Sequence, residues 1–198
     1  MAWFGNLKVD LARACGYEDG GPVRRLLLAL AAPGTQAVLV YRFGRYSLGH
    51  PLLSLLYYPL YFLVRVLWGI EVPRTAEIGP GLYIGHFGGI TVSGKARIGR
   101  DCSLSQSITI GRGGSGKRCG VPVIGDGVYI APGARVFGAI RIGDNVRIGA
   151  NAVVYRDIPD DAVVALDPGF KIISYRGNRR SANVTPLRSD TSRNASTA

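Results

Sequence analysis

Along the middle of the chain, aliphatic residues return every six positions. They stand at Ile78, Ile84 and Ile90, resume at Ile98, Leu104 and Ile110, and then run through Ile124, Ile130, Val136, Ile142, Ile148 and Val154. A small or aliphatic residue tends to stand two positions earlier, as at Val128, Ala134, Ile140, Val146 and Ala152. The residue that follows is often glycine, as at Gly79, Gly99, Gly125 and Gly143. A period of six matches neither an amphipathic helix nor a simple strand alternation. It is a hexapeptide repeat, the mark of a β-helix. Each hexapeptide supplies one short strand and one turn, with the aliphatic residue pointing inward onto its equivalent in the next coil. Small residues and glycine are expected to allow the tight corners. Three hexapeptides close a triangular coil, so the positions group as 78/84/90, 98/104/110, 124/130/136 and 142/148/154, with partial coils near Val72 and Ile158. No coil buries its apolar face alone, so the coils must stack.

Two interruptions break the period. Ile90 to Ile98 is eight residues, a two-residue excess. Ile110 to Ile124 is fourteen, which fits either two strands with two extra residues or one strand with eight inserted. The second gap holds GRGGSGKRCGVP, from Gly111 to Pro122. A basic, glycine-rich loop leaving a regular solenoid is a candidate binding loop. It has neither the spacing nor the strand–helix setting of a Walker loop.

The N-terminal third has a different pattern. Arg24 to Ala32 and Thr35 to Ile70 are rich in Leu, Tyr and Val, with breaks at Pro33-Gly34, His50-Pro51, near Pro59 and at Gly69. This predicts short helices. Tyr46 to Val64 is nineteen residues without a formal charge, close to the roughly 20 that a membrane span needs. Pro51 and Pro59 interrupt it, Tyr recurs along it, and Arg42, Arg45 and Arg65 flank it. These features favour helices packed on the rest of the protein or on a sister subunit. An interfacial helix on a membrane surface is the second reading and a span the third. The chain therefore divides into an apolar helical region over 1–70, a β-helix over 71–177 and a basic tail over 178–198. The tail is polar, without periodicity, and is expected to be disordered.

Composition narrows the function. Of 198 residues, 47% are hydrophobic, enough for a core, and 28 are glycine without the strict period of collagen. The net charge is +11, made of +4 over residues 1–75, +2 over 76–170 and +5 over 171–198. Charge alone does not make a nucleic-acid module: there is no recognised motif and no basic stripe with interleaved aromatics. Cys15, Cys102 and Cys119 are too few and too scattered for a disulfide scaffold, which fits a reducing compartment. Only His50 and His86 are present, so a site needing several histidines from one chain, and with it a carbonic anhydrase on this fold, is excluded. The N-terminus lacks a basic region followed by an apolar one, and no leader is expected. A cytoplasmic protein follows, with contact at the inner face of the membrane left open.

Three strings carry a resemblance: IEVPRTAEIGPGLYIGHFGGI, SQSITIGRGGSGK and VPVIGDGVYIAPGARVFGAIRIGDNVRIGANAVV. Together with the apolar helical region they resemble the serine acetyltransferase family, over about Gly69 to Gly177. The resemblance implies a left-handed parallel β-helix, acetyl-CoA as co-substrate, no metal, and a trimer or a multiple of one. It implies that His86 is the catalytic base and that Glu71, fifteen positions earlier, is its acidic partner in place of Asp. It also implies that acetyl-CoA lies in a groove between neighbouring subunits, against Arg112, Gly113, Ala131, Pro132, Arg147 and Ala150, with Arg147 and Lys117 meeting the nucleotide phosphates.

The chemistry stands beside the resemblance. A hydroxyl is a poor nucleophile at neutral pH, and a neutral imidazole within about 3 Å can take its proton during attack on a thioester, worth roughly 10²–10⁴-fold. A carboxylate on the other ring nitrogen fixes the tautomer. Two departures bear on the acceptor. Gly85 stands where the family has an Asp that helps bind the serine amine, and Gly120-Val121 stand where it has Arg-His. A site without those groups is expected to leave an ammonium unpaired. The string IGHFGGI also looks like acetyltransferases associated with polysaccharide synthesis. The expected acceptor is therefore a saccharide or other non-amino-acid hydroxyl, with serine O-acetylation in cysteine biosynthesis as the alternative. A non-catalytic β-helix scaffold is the rival of another class.

Overall fold

Two-residue strands gain nothing alone, and here every one of them is paired into a neighbouring coil. The computed structural model describes residues 2–116, 119–166 and 171–174. The basic tail from Asn178 and Lys117 of the inserted loop lie outside the described residues.

The strands build three faces. The first holds β1 (Ile70–Glu71), β4 (Ile90–Val92), β7 (Thr109–Gly111), β10 (Arg135–Phe137) and β13 (Val153–Val154) in that order. The second holds β2 (Glu77–Ile78), β5 (Arg97–Ile98), β8 (Val123–Ile124) and β11 (Arg141–Ile142). The third holds β3 (Tyr83–Ile84), β6 (Ser103–Leu104), β9 (Tyr129–Ile130), β12 (Arg147–Ile148), β14 (Val163–Ala165) and β15 (Lys171–Ser174). All pairs are parallel except β14 with β15. The inward residues stack in register: Ile98 on Ile124, Ile130 on Ile148, Val136 on Val154. Ile110, Val136, Ile142, Ile148 and Val154 are wholly buried, as are Ala134 and Ala152 two positions before their aliphatic partners. Each such aliphatic side chain contributes about 1.5–3 kcal/mol by leaving water.

The register places one interruption elsewhere than the period suggested. Thr91 pairs with Thr109 and Val92 with Ile110, so Val92, not Ile90, is the equivalent of Ile110. The two extra residues belong to the turn between β3 and β4, Gly85 to Gly89, and not to the stretch after Ile90. The other gap is settled as an insertion. Ile98 pairs with Ile124 and Leu104 with Ile130, a step of 26 residues against 18 for the next coil. The inserted eight form the loop after β7.

Glycine after the aliphatic position serves close approach rather than a left-handed corner. A Cβ on Gly99 would lie 2.6 Å from the Gly125 carbonyl group of the next coil. Beside this column runs a ladder of carboxylates. Asp126 accepts from the Arg100 N–H at 2.7 Å, Asp144 from the Asp126 N–H at 2.8 Å and Asp160 from the Asp144 N–H at 2.9 Å. The left-handed corners fall two residues further on, at Gly81, Asp101, Gly127 and Asn145 in successive coils, with Asp161 after them. Asp and Asn tolerate that conformation best after glycine.

Four helices cover the first coil: α1 (Ala2–Cys15), α2 (Pro22–Ala31), α3 (Pro33–Ser47) and α4 (Pro51–Trp68). Pro22, Pro33 and Pro51 open their helices, where the missing N–H costs nothing. Pro59 does not end a helix; it lies within α4. The open end of a solenoid leaves backbone groups unpaired, and side chains from the helices take them. Arg42, 2% exposed, donates to the carbonyls of Ile78 at 2.8 Å and Gly79 at 2.6 Å and pairs with Asp10 at 2.7 Å. Asp10 accepts the N–H groups of Gly81 and Leu82. Tyr41 donates to the Ala76 carbonyl and accepts from the Ile78 N–H.

Candidate active site

The lengthened turn carries His86. Its extra residues push Gly85, His86 and Phe87 out of the coil, and all three are exposed. Gly88 (φ 98°) and Gly89 (φ 66°) close the turn in backbone conformations that favour glycine. The turn is fastened to α4. The Gly88 N–H donates to the Trp68 carbonyl at 2.9 Å, the Ile90 N–H to the Gly69 carbonyl at 3.0 Å, and the Phe87 ring meets Trp68 edge-on at 5.6 Å. Gly69 ends α4 in the left-handed conformation, which turns the chain directly into β1.

Glu71 is the second residue of β1 and pairs with Thr91 just after the turn. Glu71 and His86 therefore occupy the same corner on adjacent coils, with no hydrogen bond between them. The charge partner of Glu71 is Arg65 of α4, at 3.8 Å, and both side chains are nearly half exposed. The pair borders a cleft of about 280 Å³ lined also by Phe62, Val66, Gly69 and Thr91. The Arg65 guanidinium lies 5.6 Å from the centre of the Tyr61 ring. Burial, and then the Glu71 carboxylate, push the Tyr61 phenol up to about 12, so it remains protonated throughout the neutral range.

Other sequence-predicted residues divide between two corners. Ala131 and Pro132 follow β9 and Ala150 follows β12, on the same corner as His86 but on later coils. Ala131 is buried, its N–H bonded to the Ile148 carbonyl, and Ala150 is exposed. Arg147 lies on the third face, its guanidinium over the Tyr129 ring at 4.9 Å. Arg112 and Gly113 stand at the opposite end of the first face, where the inserted loop leaves β7. Gly113 and Gly120 pinch that loop with two N–H···O bonds of 3.0 Å. One chain thus does not bring Arg112 and Gly113 together with His86.

Three residues were not singled out from sequence. Lys95 lines a cleft of about 470 Å³ with Arg112, Cys119 and Val121; a lone lysine in a turn carries no signal of its own. Arg65 meets Glu71 only through the fold. Gln106 follows Leu104 by two residues, as His86 follows Ile84, one coil away. Its side-chain oxygen is buried without a hydrogen-bond partner, a state that costs about 1–3 kcal/mol. The string Leu104-Ser105-Gln106-Ser107-Ile108 is polar throughout its middle, so nothing in the sequence signals Gln106.

Comparison with known proteins bears on the fold and the family. The family model described as bacterial transferase hexapeptide (six repeats) matches residues 122–156. The serine acetyltransferase of Synechococcus elongatus is 38% identical over 166 residues, covering 82% of this chain and 64% of that protein. So the chain spans a little under two thirds of that relative's length. The serine acetyltransferase of Helicobacter pylori strain J99 is 38% identical over 146 residues, covering 72% of this chain and 82% of that protein. The crystal structure of Neisseria gonorrhoeae serine acetyltransferase in complex with serine superposes with a TM-score of 0.74 at 26% identity, over 87% of this chain and 69% of that one. The solenoid is therefore the left-handed parallel β-helix of these acetyltransferases. The expectation of a saccharide acceptor is overturned, since the relatives are named for serine and one was solved with it. Missing groups at Gly85 and Val121 remove two partners for a zwitterion, but they do not speak for charges brought in by another element.

Proposed function

The chain belongs to the serine acetyltransferase family, and from that premise we propose that it moves the acetyl group of acetyl-CoA to the hydroxyl of L-serine. The observation that carries the reading is His86, exposed on a turn two residues longer than its equivalent in the next coil. As the serine Oγ attacks the thioester carbonyl, the imidazole takes the hydroxyl proton. When the tetrahedral intermediate collapses, the C–S bond breaks and the imidazolium returns a proton to the leaving thiolate. Glu71, at the same corner, stabilises the imidazolium that forms. Arg65 is placed to meet the serine carboxylate at the mouth of the cleft it shares with Glu71.

Arg112 and Lys95, with Lys117 and Arg147, supply cations for the nucleotide phosphates of acetyl-CoA. Arg112 and His86 lie at opposite ends of the first face, so a trimer completes the groove: the loop of one subunit faces the His86 corner of the next.

Thiol release from acetyl-CoA with L-serine, with the ester product identified, tests this reading. His86→Ala is expected to lower kcat by about 10²–10⁴-fold and to leave acetyl-CoA affinity within a few-fold. A wild-type protein that forms no O-acetylserine, or a His86→Ala protein that keeps most of its rate, overturns it. An active monomer of 21.1 kDa in light scattering overturns the shared groove.

A further inference from the structure

α4 is apolar on two sides, and the protein uses only one. Its inner stripe, with Tyr57 and Val64 buried, packs on α3. Polar bonds hold that side in place: Arg74 donates to Ser47 Oγ at 2.9 Å and Ser54 Oγ at 2.8 Å, and its guanidinium lies 4.8 Å from the centre of the Tyr57 ring. The opposite stripe follows helical spacing through Leu52, Leu55, Leu56, Phe62, Leu63 and Val66, each at least half exposed. Phe62 and Val66 also line the cleft beside Glu71, but nothing in the described fold needs the four leucines to be apolar. α2 repeats the situation: of its ten residues only Ala29 is buried, and Val23 and Leu27 are 71% and 62% exposed. The C-terminal ends of the two helices meet at Gln36. Its amide donates to the Leu30 and Ala31 carbonyls and accepts from the Trp68 indole.

Charge identifies the occupant. From Gly20 to Ile70 the chain has no Asp or Glu and five Arg. Arg24 and Arg25 are exposed beside the apolar residues of α2, whereas Arg65 of α4 is paired with Glu71. A second copy docking through the same face would set Arg24 and Arg25 against their own kind with no acid on either helix to pair, a mismatch that disfavours contact. A bilayer with anionic headgroups offers both what the apolar stripe needs and what the arginines need. A span is excluded by the inner stripe, which lipid would have to strip from α3 and from Arg74. We propose that the outer faces of α2 and α4 seat this protein on the surface of an anionic phospholipid bilayer, as a peripheral contact. This holds whatever hydroxyl the active site acetylates.

Flotation of the full chain with phosphatidylglycerol vesicles and with phosphatidylcholine vesicles, at low and high salt, is the test. The protein is expected to float with phosphatidylglycerol, to lose about 30-fold in affinity on phosphatidylcholine, and to weaken with salt. Leu55→Asp/Leu63→Asp is expected to abolish flotation, and Arg24→Gln/Arg25→Gln to reduce affinity about 30-fold. Both variants should keep the thiol-release rate and the oligomer size of the wild type, which shows that they fold. Wild type that stays with the bulk solution overturns the proposal, as does an aspartate variant that floats normally. Dissociation of the wild-type oligomer by Leu55→Asp/Leu63→Asp also overturns it, because the face then belongs to a second copy.

Discussion

The solenoid and the helical region are both rich in aliphatic residues, but they use them differently. In the solenoid the inward residue of nearly every strand is sealed: Ile110, Ile142 and Ile148 expose nothing. The outward residues of the same strands are largely polar or charged, as at Arg97, Arg135, Arg141 and Arg147. In α4, eighteen residues contribute two buried side chains, while Leu52 and Leu55 are 83% and 75% exposed. A repeat that stacks on itself consumes the apolar surface it encodes, coil upon coil. A helix laid on one neighbour consumes one stripe, and a second apolar stripe then marks contact with something outside the chain. Coils meet through aliphatic stacking, whereas the helices add to their apolar contact, made by Ala37, Val38 and Val64, a buried polar joint of Asp10, Arg42 and Tyr41.

The largest effect is expected at that joint. Arg42→Ala leaves the Asp10 carboxylate buried with only backbone N–H partners and frees the carbonyls of Ile78 and Gly79. Removing one member of a buried pair costs about 3–5 kcal/mol, read as a lowered urea midpoint. A cost under about 1 kcal/mol would mean that apolar contacts, not the buried pair, hold the helices on the solenoid. Ile142→Ala is expected to cost about 2–5 kcal/mol, because the stacked residues Ile124 and Ile158 cannot both collapse into the space.

How far the sequence reached differs between the regions for the same physical reason. A hexapeptide repeat is local, so twelve aliphatic positions identified the coils and the buried small residues before them. It failed where two aliphatic residues competed for one inward position. Ile90 and Val92 are both buried, and choosing Ile90 moved the two extra residues away from the His86 turn to which they belong. Glycine was read as a corner residue because its conformational freedom is a property of one residue, whereas the crowding at Gly99 comes from the next coil. At the site, the resemblance named His86 and Glu71, and the register sets them at one corner on adjacent coils. Arg65, Lys95 and the Asp10–Arg42 pair were not legible, because only tertiary packing gives a surface cation or a buried carboxylate its partner. Apolar content in α4 was read as subunit packing first and membrane contact second; sequence alone does not say which stripe the fold will use.

The smallest expected effect bears most directly on the contrast. Leu55→Ser removes a large aliphatic side chain from the outer stripe of α4, the same kind of loss that Ile142→Ala imposes on the solenoid. Leu55 is 75% exposed, so little contact and little desolvation are at stake within the chain. Serine has a lower helix propensity than leucine, a difference of a few tenths of a kcal/mol. The urea midpoint is therefore expected to shift by no more than about 0.5 kcal/mol, with the thiol-release rate unchanged. Helicity measured in parallel separates a propensity loss from a packing loss, since only the former is confined to α4. A cost near that of Ile142→Ala would mean that the outer stripe is already buried in the assembled protein. The contrast between a region that consumes its apolar surface and one that offers it would then fail.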